Sequence, residues 1–266
     1  MAPKTQTGFC ALCQREKMLR ESHIASKFLW RRSGITGEKK KFALLSPTHP
    51  DLDEPHRQDG LKEYLLCHDC EQQFGRYEAY AAQVLFHKYG PILRRPNRHF
   101  ILTGLEYRQM KLFQMSILWR MGVSSHPYYC RVELGVHQEI LRSMLKAEDP
   151  GDPWQYGCVA TLLDHKGEPI RGLFSQPMKT KKFDHDCYSY TISGMHWVHF
   201  PTSLSPKDVV GRIVLQRDGS WLIFRGEITD SPELRVQVEQ FRQMHKEGRR
   251  REQDGGGQPP TRSEAK

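Results

Sequence analysis

The sequence predicts an α+β protein. A small cysteine-anchored unit covers residues 9–90, a mixed helix and antiparallel-sheet region covers 100–245, and a disordered tail covers 246–266. Three observations predict this division. Two Cys-x-x-Cys pairs bracket most of the first unit, and a helical stripe follows the second pair. Helical periodicity then gives way, after residue 156, to segments rich in β-branched and aromatic residues. From Lys246 the chain turns charged and then rich in Gly and Pro, a composition that buries too little apolar surface to order itself.

The first unit contains Cys10-Ala-Leu-Cys13 and Cys67-His68-Asp69-Cys70. The N-terminal "MAPKTQTGFC" has no apolar core of a signal peptide. No run approaches the ~18 apolar residues of a membrane helix. The chain therefore reads as cytoplasmic, where paired Cys-x-x-Cys motifs point to metal rather than to disulfides. Four thiolates suit Zn²⁺, which accepts a closed tetrahedral shell of sulfur. A knuckle, a hairpin and a helix that donates the last ligand form a treble-clef-like (ββα-like) layout. Such a small unit has little core of its own, and metal binding supplies folding energy. His68 is a competing ligand, but four sulfurs already complete the shell. Cys130, Cys158 and Cys187 read as buried small side chains.

The two pairs are separated by polar sequence. "RRSGITGEKKKF" (31–42) and "SPTHPDLDEPHRQDG" (46–60) read as loops. A helix follows Cys70, with Phe74, Tyr77, Ala81 and Leu85 on one stripe, and Gly90-Pro91 ends it. "GPILRRPNRHF" (90–100) reads as a basic connector.

In the second region "EYRQMKLFQMSILWRMG" (106–122) predicts a buried helix with Met110, Phe113, Ile117 and Met121 on one side. "GVHQEILRSMLKAEDPGDP" (135–153) predicts a second helix, stopped by its Asp-Pro-Gly-Asp-Pro run. Strands are expected over 156–164, 187–200, 211–216 and 220–226. The last two flank "RDG", a hairpin signal. A final helix is expected over 231–251, with Ser231 at its cap and Pro232 in its first turn. His185, His196 and His199 read as strand histidines. Alternation separates His196 from His199, which speaks against a metal pair. Trp119, Trp154, Trp197 and Trp221 read as core or rim. No phosphate-binding loop, dinucleotide fingerprint or nucleophile elbow is present.

Charge suggests a partner. Lys and Arg number 40 against 31 Asp and Glu, a net charge of +9. Basic proteins favour phosphate-bearing partners, because Lys and Arg displace counterions from nucleic acid. Arg31, Arg32, Lys39, Lys40 and Lys41 lie between the cysteine pairs, and Arg94, Arg95 and Arg98 follow the helix. All are candidate phosphate contacts. Their alternative reading is ordinary solvated loop charge.

Between the pairs lies "ESHIASKFL" (21–29), and the second pair ends in "LLCHDCE" (65–71). This order of motifs resembles the zinc-supported His-Asn-His (HNH) endonuclease superfamily. It looks like bacterial members with Ser-His-Ile and Cys-x-x-Cys-Glu motifs. The resemblance covers about residues 9–89. It implies that His23 is the general base on water and that Glu71 holds a catalytic Mg²⁺ or Mn²⁺ where the family has a histidine. Ser22 stands where the family has a metal-binding Asp. The family's central Asn has no clear counterpart, although Gln58 or Asp59 could serve. Glu78, seven residues after Glu71 on the predicted helix, faces the same side and is a second candidate ligand. Each residue also has a plainer reading: His23 as a structural histidine, Glu71 as an acid favouring the helix dipole, and Glu78 as part of a solvated helix face.

The resulting expectation is a nuclease with structural zinc and a separate catalytic metal, which cleaves phosphodiesters in DNA more than RNA. The alternative is a non-catalytic zinc module that binds nucleic acid or protein. A third reading is a scaffold within a larger complex. No membrane partner is expected.

Overall fold

The cysteine pairs sit on a three-stranded antiparallel sheet and the helix that leaves it. The computed structural model describes residues 5–31, 43–45, 60–170, 173–232, 234–236 and 239. Strand β1 (Thr5–Phe9) turns through the first pair into β2 (Glu16–His23), with Phe9 opposite Glu16. A short helix α1 (Lys27–Arg31) and strand β3 (Ala43–Leu45) follow. Strand β4 (Lys62–Cys67) returns beside β2 and completes the order β1-β2-β4. Leu19 lies opposite Cys67 and His23 opposite Lys62, with an irregularity at Arg20/Glu21. Gly60, which ends the loop before β4, has φ +75° and packs where a Cβ would meet the Trp30 ring at 2.6 Å. Only glycine fits both conditions.

Cys67 closes β4 and caps α2 (His68–Ala82). The helix thus begins inside the second pair rather than after Cys70. It widens into a π-helical stretch over Gln83–Lys88, and α3 (Gly90–Leu93) follows. Strand β5 (His99–Leu102) occupies the end of the expected basic connector.

Helix α4 (Tyr107–Val123) is the centre of the molecule. The stripe expected at Met110, Phe113, Ile117 and Met121 is buried, and so is every residue between Met110 and Met121. The physical reason is that α4 is covered on several sides. Trp119 meets Phe74 of α2 edge-on with ring centres 5.9 Å apart, and Phe113 meets Trp197 of the large sheet. A helix enclosed in this way needs no polar stripe. Helix α5 (Val136–Ala147) packs beside it.

Seven further strands follow: β6 (Cys158–His165), β7 (Glu168–Pro169), β8 (Leu173–Ser175), β9 (Met178–Lys182), β10 (His185–Ile192), β11 (Met195–His199) and β12 (Trp221–Glu227). Helix α6 (Val209–Ile213) lies between the last two. The nine-stranded sheet has the order β3-β8-β10-β11-β6-β12-β5, with β7 beside β6 and β9 beside β10. The expected antiparallel sheet is mixed, because β12 runs parallel to β6 and β3 parallel to β8. The 187–200 segment is a hairpin turned at Ser193-Gly194.

Three expectations are corrected here. Residues 211–216 form no strand, and no hairpin forms around "RDG". Val209–Ile213 is helical, and β12 pairs with β6 and β5 instead. Gly219 at φ +78° lies against Leu105, whose N–H donates to the Gly219 carbonyl at 3.1 Å. Its turn thus faces the start of α4. Cys130 is exposed rather than buried, whereas Cys158 and Cys187 are buried. Cys130 follows a single 3-10 turn at Pro127–Tyr129 that leaves its side chain at the surface.

One apolar cluster joins Cys10, Leu12 and Phe74 to Phe113, Trp197 and Trp221. Trp30 stacks on Phe174 with ring centres 4.0 Å apart, so α1 also packs on the large sheet. Among the described residues no helix is long and apolar enough to cross a membrane. The 246–266 tail and most of the expected 231–251 helix lie outside the described residues.

Candidate metal centre and the adjoining polar cluster

The first cysteine pair lies in the β1–β2 turn. Cys10 N–H donates to the Arg15 carbonyl at 3.0 Å, and Gln14 N–H donates to the Cys10 carbonyl at 2.8 Å. Ala11 N–H ties the turn to Leu65 of β4 at 3.0 Å. The second pair begins at the N-cap of α2, where Cys67 N–H points at Cys10 Sγ at 3.3 Å. These bonds bring four sulfurs, from residues up to sixty positions apart, within 4.8 Å of one another. Cys13 Sγ and Cys67 Sγ lie 3.9 Å apart. A tetrahedral ion with metal–sulfur distances of about 2.3 Å sets its sulfurs about 3.8 Å apart. The four cysteines therefore fit a metal ion such as zinc, and Cys10, Cys67 and Cys70 are buried.

The thiols already interact. A hydrogen bond with Cys70 pulls Cys10 below the ordinary thiol range, and the same bond pushes Cys70 up. Burial raises Cys67. A metal ion would hold all four as thiolates. The pair's two inner residues face outward. His68 and Asp69 are exposed, and Asp69 accepts a salt bridge from Lys17 at 2.7 Å. Arg142 of α5 clamps the first knuckle through the Leu12 carbonyl at 2.8 Å.

A second polar cluster lies on the inner side of α2. Ser22 is buried on β2, where its Oγ donates to the Arg20 carbonyl at 3.3 Å. Burial raises Glu71 above the usual carboxylate range, while the Ser22 hydroxyl and the Arg120 charge act in the opposite direction. Glu71 Oε1 is buried and has no hydrogen-bond partner. Glu78, two turns on, forms an ion pair with Arg120 Nη1 at 2.7 Å and accepts from Ser26 Oγ at 2.9 Å. Arg120 also donates to the His23 carbonyl at 2.8 Å and to Ser26 Oγ at 3.2 Å. Its guanidinium lies 5.4 Å from the Phe74 ring centre. Glu71 and Glu78 thus face one side of α2, as their seven-residue spacing requires.

His23 ends β2 and is half-buried, with Lys62 directly across the strand pair. Cross-strand neighbours share a face of the sheet. Among the described residues, the cysteines form the only group of three or more His, Cys, Asp or Glu whose ligand atoms converge. His23, Glu71 and Glu78 form no such group, so they do not by themselves fit a second divalent ion.

Arg94, Arg95 and Arg98 are exposed between α3 and β5. Arg31 ends α1. Arg32, Lys39, Lys40, Lys41, Gln58 and Asp59 lie outside the described residues. In the large sheet, His199 is buried beside Tyr190 and Cys158, and His196 beside Thr191. His185 lies 3.5 Å from Asp208. Trp119, Trp197 and Trp221 are wholly buried, which bars them from base stacking.

Sequence reasoning missed Ser26, Arg120 and Arg142. The legible signal for Arg120 was a lone arginine inside the apolar run "SILWRMG". A charge among core positions requires a buried partner. No protein-family model, curated protein or solved structure matches the chain.

Proposed function

We propose that the chain acts on nucleic acid as a zinc-stabilised, treble-clef-like HNH-type module that hydrolyses phosphodiesters, DNA more than RNA. Cys10, Cys13, Cys67 and Cys70 hold the zinc, and the His23 imidazole takes a proton from the attacking water. The observation that carries the reading is the four-sulfur cluster, with Ser22 buried on the strand that follows the first cysteine pair and Glu71 one residue past the last sulfur. These residues stand 49 positions apart, at the two places where the resembled family has its metal-binding side chains. Their places on β2 and α2, on either side of the cysteine cluster, support the motif alignment. Lys62 beside His23 and exposed Arg94, Arg95 and Arg98 supply positive charge suited to a phosphate backbone. No step is assigned to a second metal ion.

The test is nicking of supercoiled plasmid by zinc-loaded protein, with and without Mg²⁺ or Mn²⁺, beside H23A. Cleavage by the wild type and its loss in H23A are expected. Equal cleavage by both proteins would remove His23 from the reaction.

A second reading is favoured by the Arg120–Glu78 pair. A carboxylate neutralised by a buried guanidinium suits a structural cluster, and the module then binds nucleic acid or a protein without cleaving it. Salt-dependent DNA binding with no cleavage under any divalent ion would select this reading.

A further inference from the structure

Between Glu78 and Glu106 the sequence holds four Lys or Arg and no Asp or Glu. Three of the four, Arg94, Arg95 and Arg98, are exposed on the segment that joins α3 to β5. Other surface arginines pair with a carboxylate: Arg76 with Glu148, Arg142 with Glu139 and Arg217 with Asp152. Among the described residues no carboxylate pairs with Arg94, Arg95 or Arg98.

One buried residue holds this segment at both ends. The Arg225 backbone N–H of β12 donates to the Arg98 carbonyl at 2.8 Å. Its side-chain Nη2 donates to the Leu93 carbonyl. Its Nη1 meets both carboxylate oxygens of Asp164 on β6, at 2.7 and 2.9 Å. The guanidinium also lies 5.7 Å from the Phe100 ring centre. The Arg225 and Asp164 side chains are only 10 % and 11 % exposed, so neither is itself a surface contact. A buried ion pair is a poor source of net stability. This one also leaves Arg225 Nε buried without a partner. What it supplies is a fixed path for the chain from Leu93 to Arg98, with three unpaired guanidiniums on the outside.

We infer that residues 94–98 form a preorganised loop that grips the phosphate backbone of a nucleic acid, and that Arg225 with Asp164 is its positioning pair. Arginine fills every exposed cationic position of the loop, and its planar fork pairs bidentately with phosphate oxygens. Anchoring the loop before contact removes part of the ordering cost of binding. The inference rests on the nucleic-acid reading above, but not on cleavage or on His23.

The experiment is a fluorescence-anisotropy titration of a labelled DNA duplex with the full-length, zinc-loaded chain, without Mg²⁺ or Mn²⁺, over a series of NaCl concentrations. Each phosphate contact adds about 0.9 to the slope of log affinity against log salt. R94A/R95A/R98A should lower that slope by about 2.7, the share of three contacts. D164N/R225M removes one charge of each sign, so the net charge and all three loop arginines are kept. It should still lower the slope by at least about 0.9, a loss that charge alone does not produce. Retained zinc and circular dichroism identify folded samples, and the surface triple variant decides the matter if the buried pair does not tolerate the change. A triple variant with the wild-type slope would overturn the inference. So would a folded D164N/R225M with the wild-type slope. Loop-dependent binding to phosphatidylserine vesicles or to polyglutamate, with none to the duplex, would replace nucleic acid by another anionic partner and overturn it as well. A wild type that binds no duplex would overturn both the inference and the nucleic-acid reading, whereas failure of the inference alone leaves wild-type duplex binding intact.

Discussion

Arg120 Nη1 lies 2.7 Å from Glu78 Oε1, and this pair joins the central helix α4 to the helix that carries the second cysteine pair. The arginine is buried and the glutamate partly exposed. Removing the buried partner of such a pair strands the other charge, which costs about 3 kcal/mol at the lower end of the range for buried pairs. R120M should therefore lower unfolding stability by about that amount. E78Q should cost less, because Arg120 keeps the His23 carbonyl and Ser26 as acceptors. Urea unfolding of zinc-loaded protein measures both. A larger loss in E78Q than in R120M would contradict this ordering.

The four-sulfur site predicts one zinc ion per chain. C70S should lose that ion and the protection of β1, β2 and β4, because both knuckles are tied to these strands. Apparent zinc binding of about 10–16 kcal/mol in small zinc units sets the scale. Elemental analysis and amide hydrogen exchange test it. The β10–β11 hairpin should keep its protection for longer, since its buried Trp197 packs on Phe113 and Trp221 far along the chain from the cysteines.

Two buried bases set the pH dependence. Lys111 donates to the Pro153 and Tyr156 carbonyls at 3.1 and 3.0 Å, and burial pulls its pKa down to about 7. An unfolded lysine keeps its proton to about pH 10.4. Between these values the unfolded chain binds a proton that the folded chain has released, so stability rises with pH by up to about 1.4 kcal/mol per unit. Burial raises the Cys158 thiol, which opposes this trend above about pH 8.5. K111M should flatten the slope between about pH 7 and 8.5. His199, pulled down to about 3 by burial, stays neutral when folded. Its contribution is lost as pH falls from about 6.5 towards 3, and H199Q should weaken that acid-side slope. Unfolding midpoints measured across pH check both slopes.

Gly219 should resist substitution. It has φ +78°, and a Cβ there would lie 2.2 Å from the Leu105 carbonyl oxygen. G219A combines backbone strain with a clash against backbone, and a loss of more than about 1 kcal/mol is expected. At Gly167, φ +79° with open space around it, the same change should cost less, since only the backbone term applies. Thermal unfolding of the two variants compares them.

Local chemistry in the sequence determined the cysteine knuckles, the helix after the second pair, the helices at α4 and α5 and the strand segments of β6, β10, β11 and β12, while β5, β7, β8 and β9 carried no such signal. Cys-x-x-Cys spacing, apolar periodicity and β-branched runs act over a few residues, so a single segment carries them. The same holds for the facing of Glu71 and Glu78, which follows from a spacing of seven on a helix. Tertiary structure decided the rest. The segment 211–216 lost its strand because β6 and β5, distant in sequence, already flank β12. Cys10 met Cys67 because β2 pairs with β4 at the foot of α2. Arg120 became the partner of Glu78 because α4 is enclosed by α2, α5 and the large sheet, and a buried charge takes whichever carboxylate the packing presents. Long-range packing assigns such partners, and no local pattern of residues encodes it.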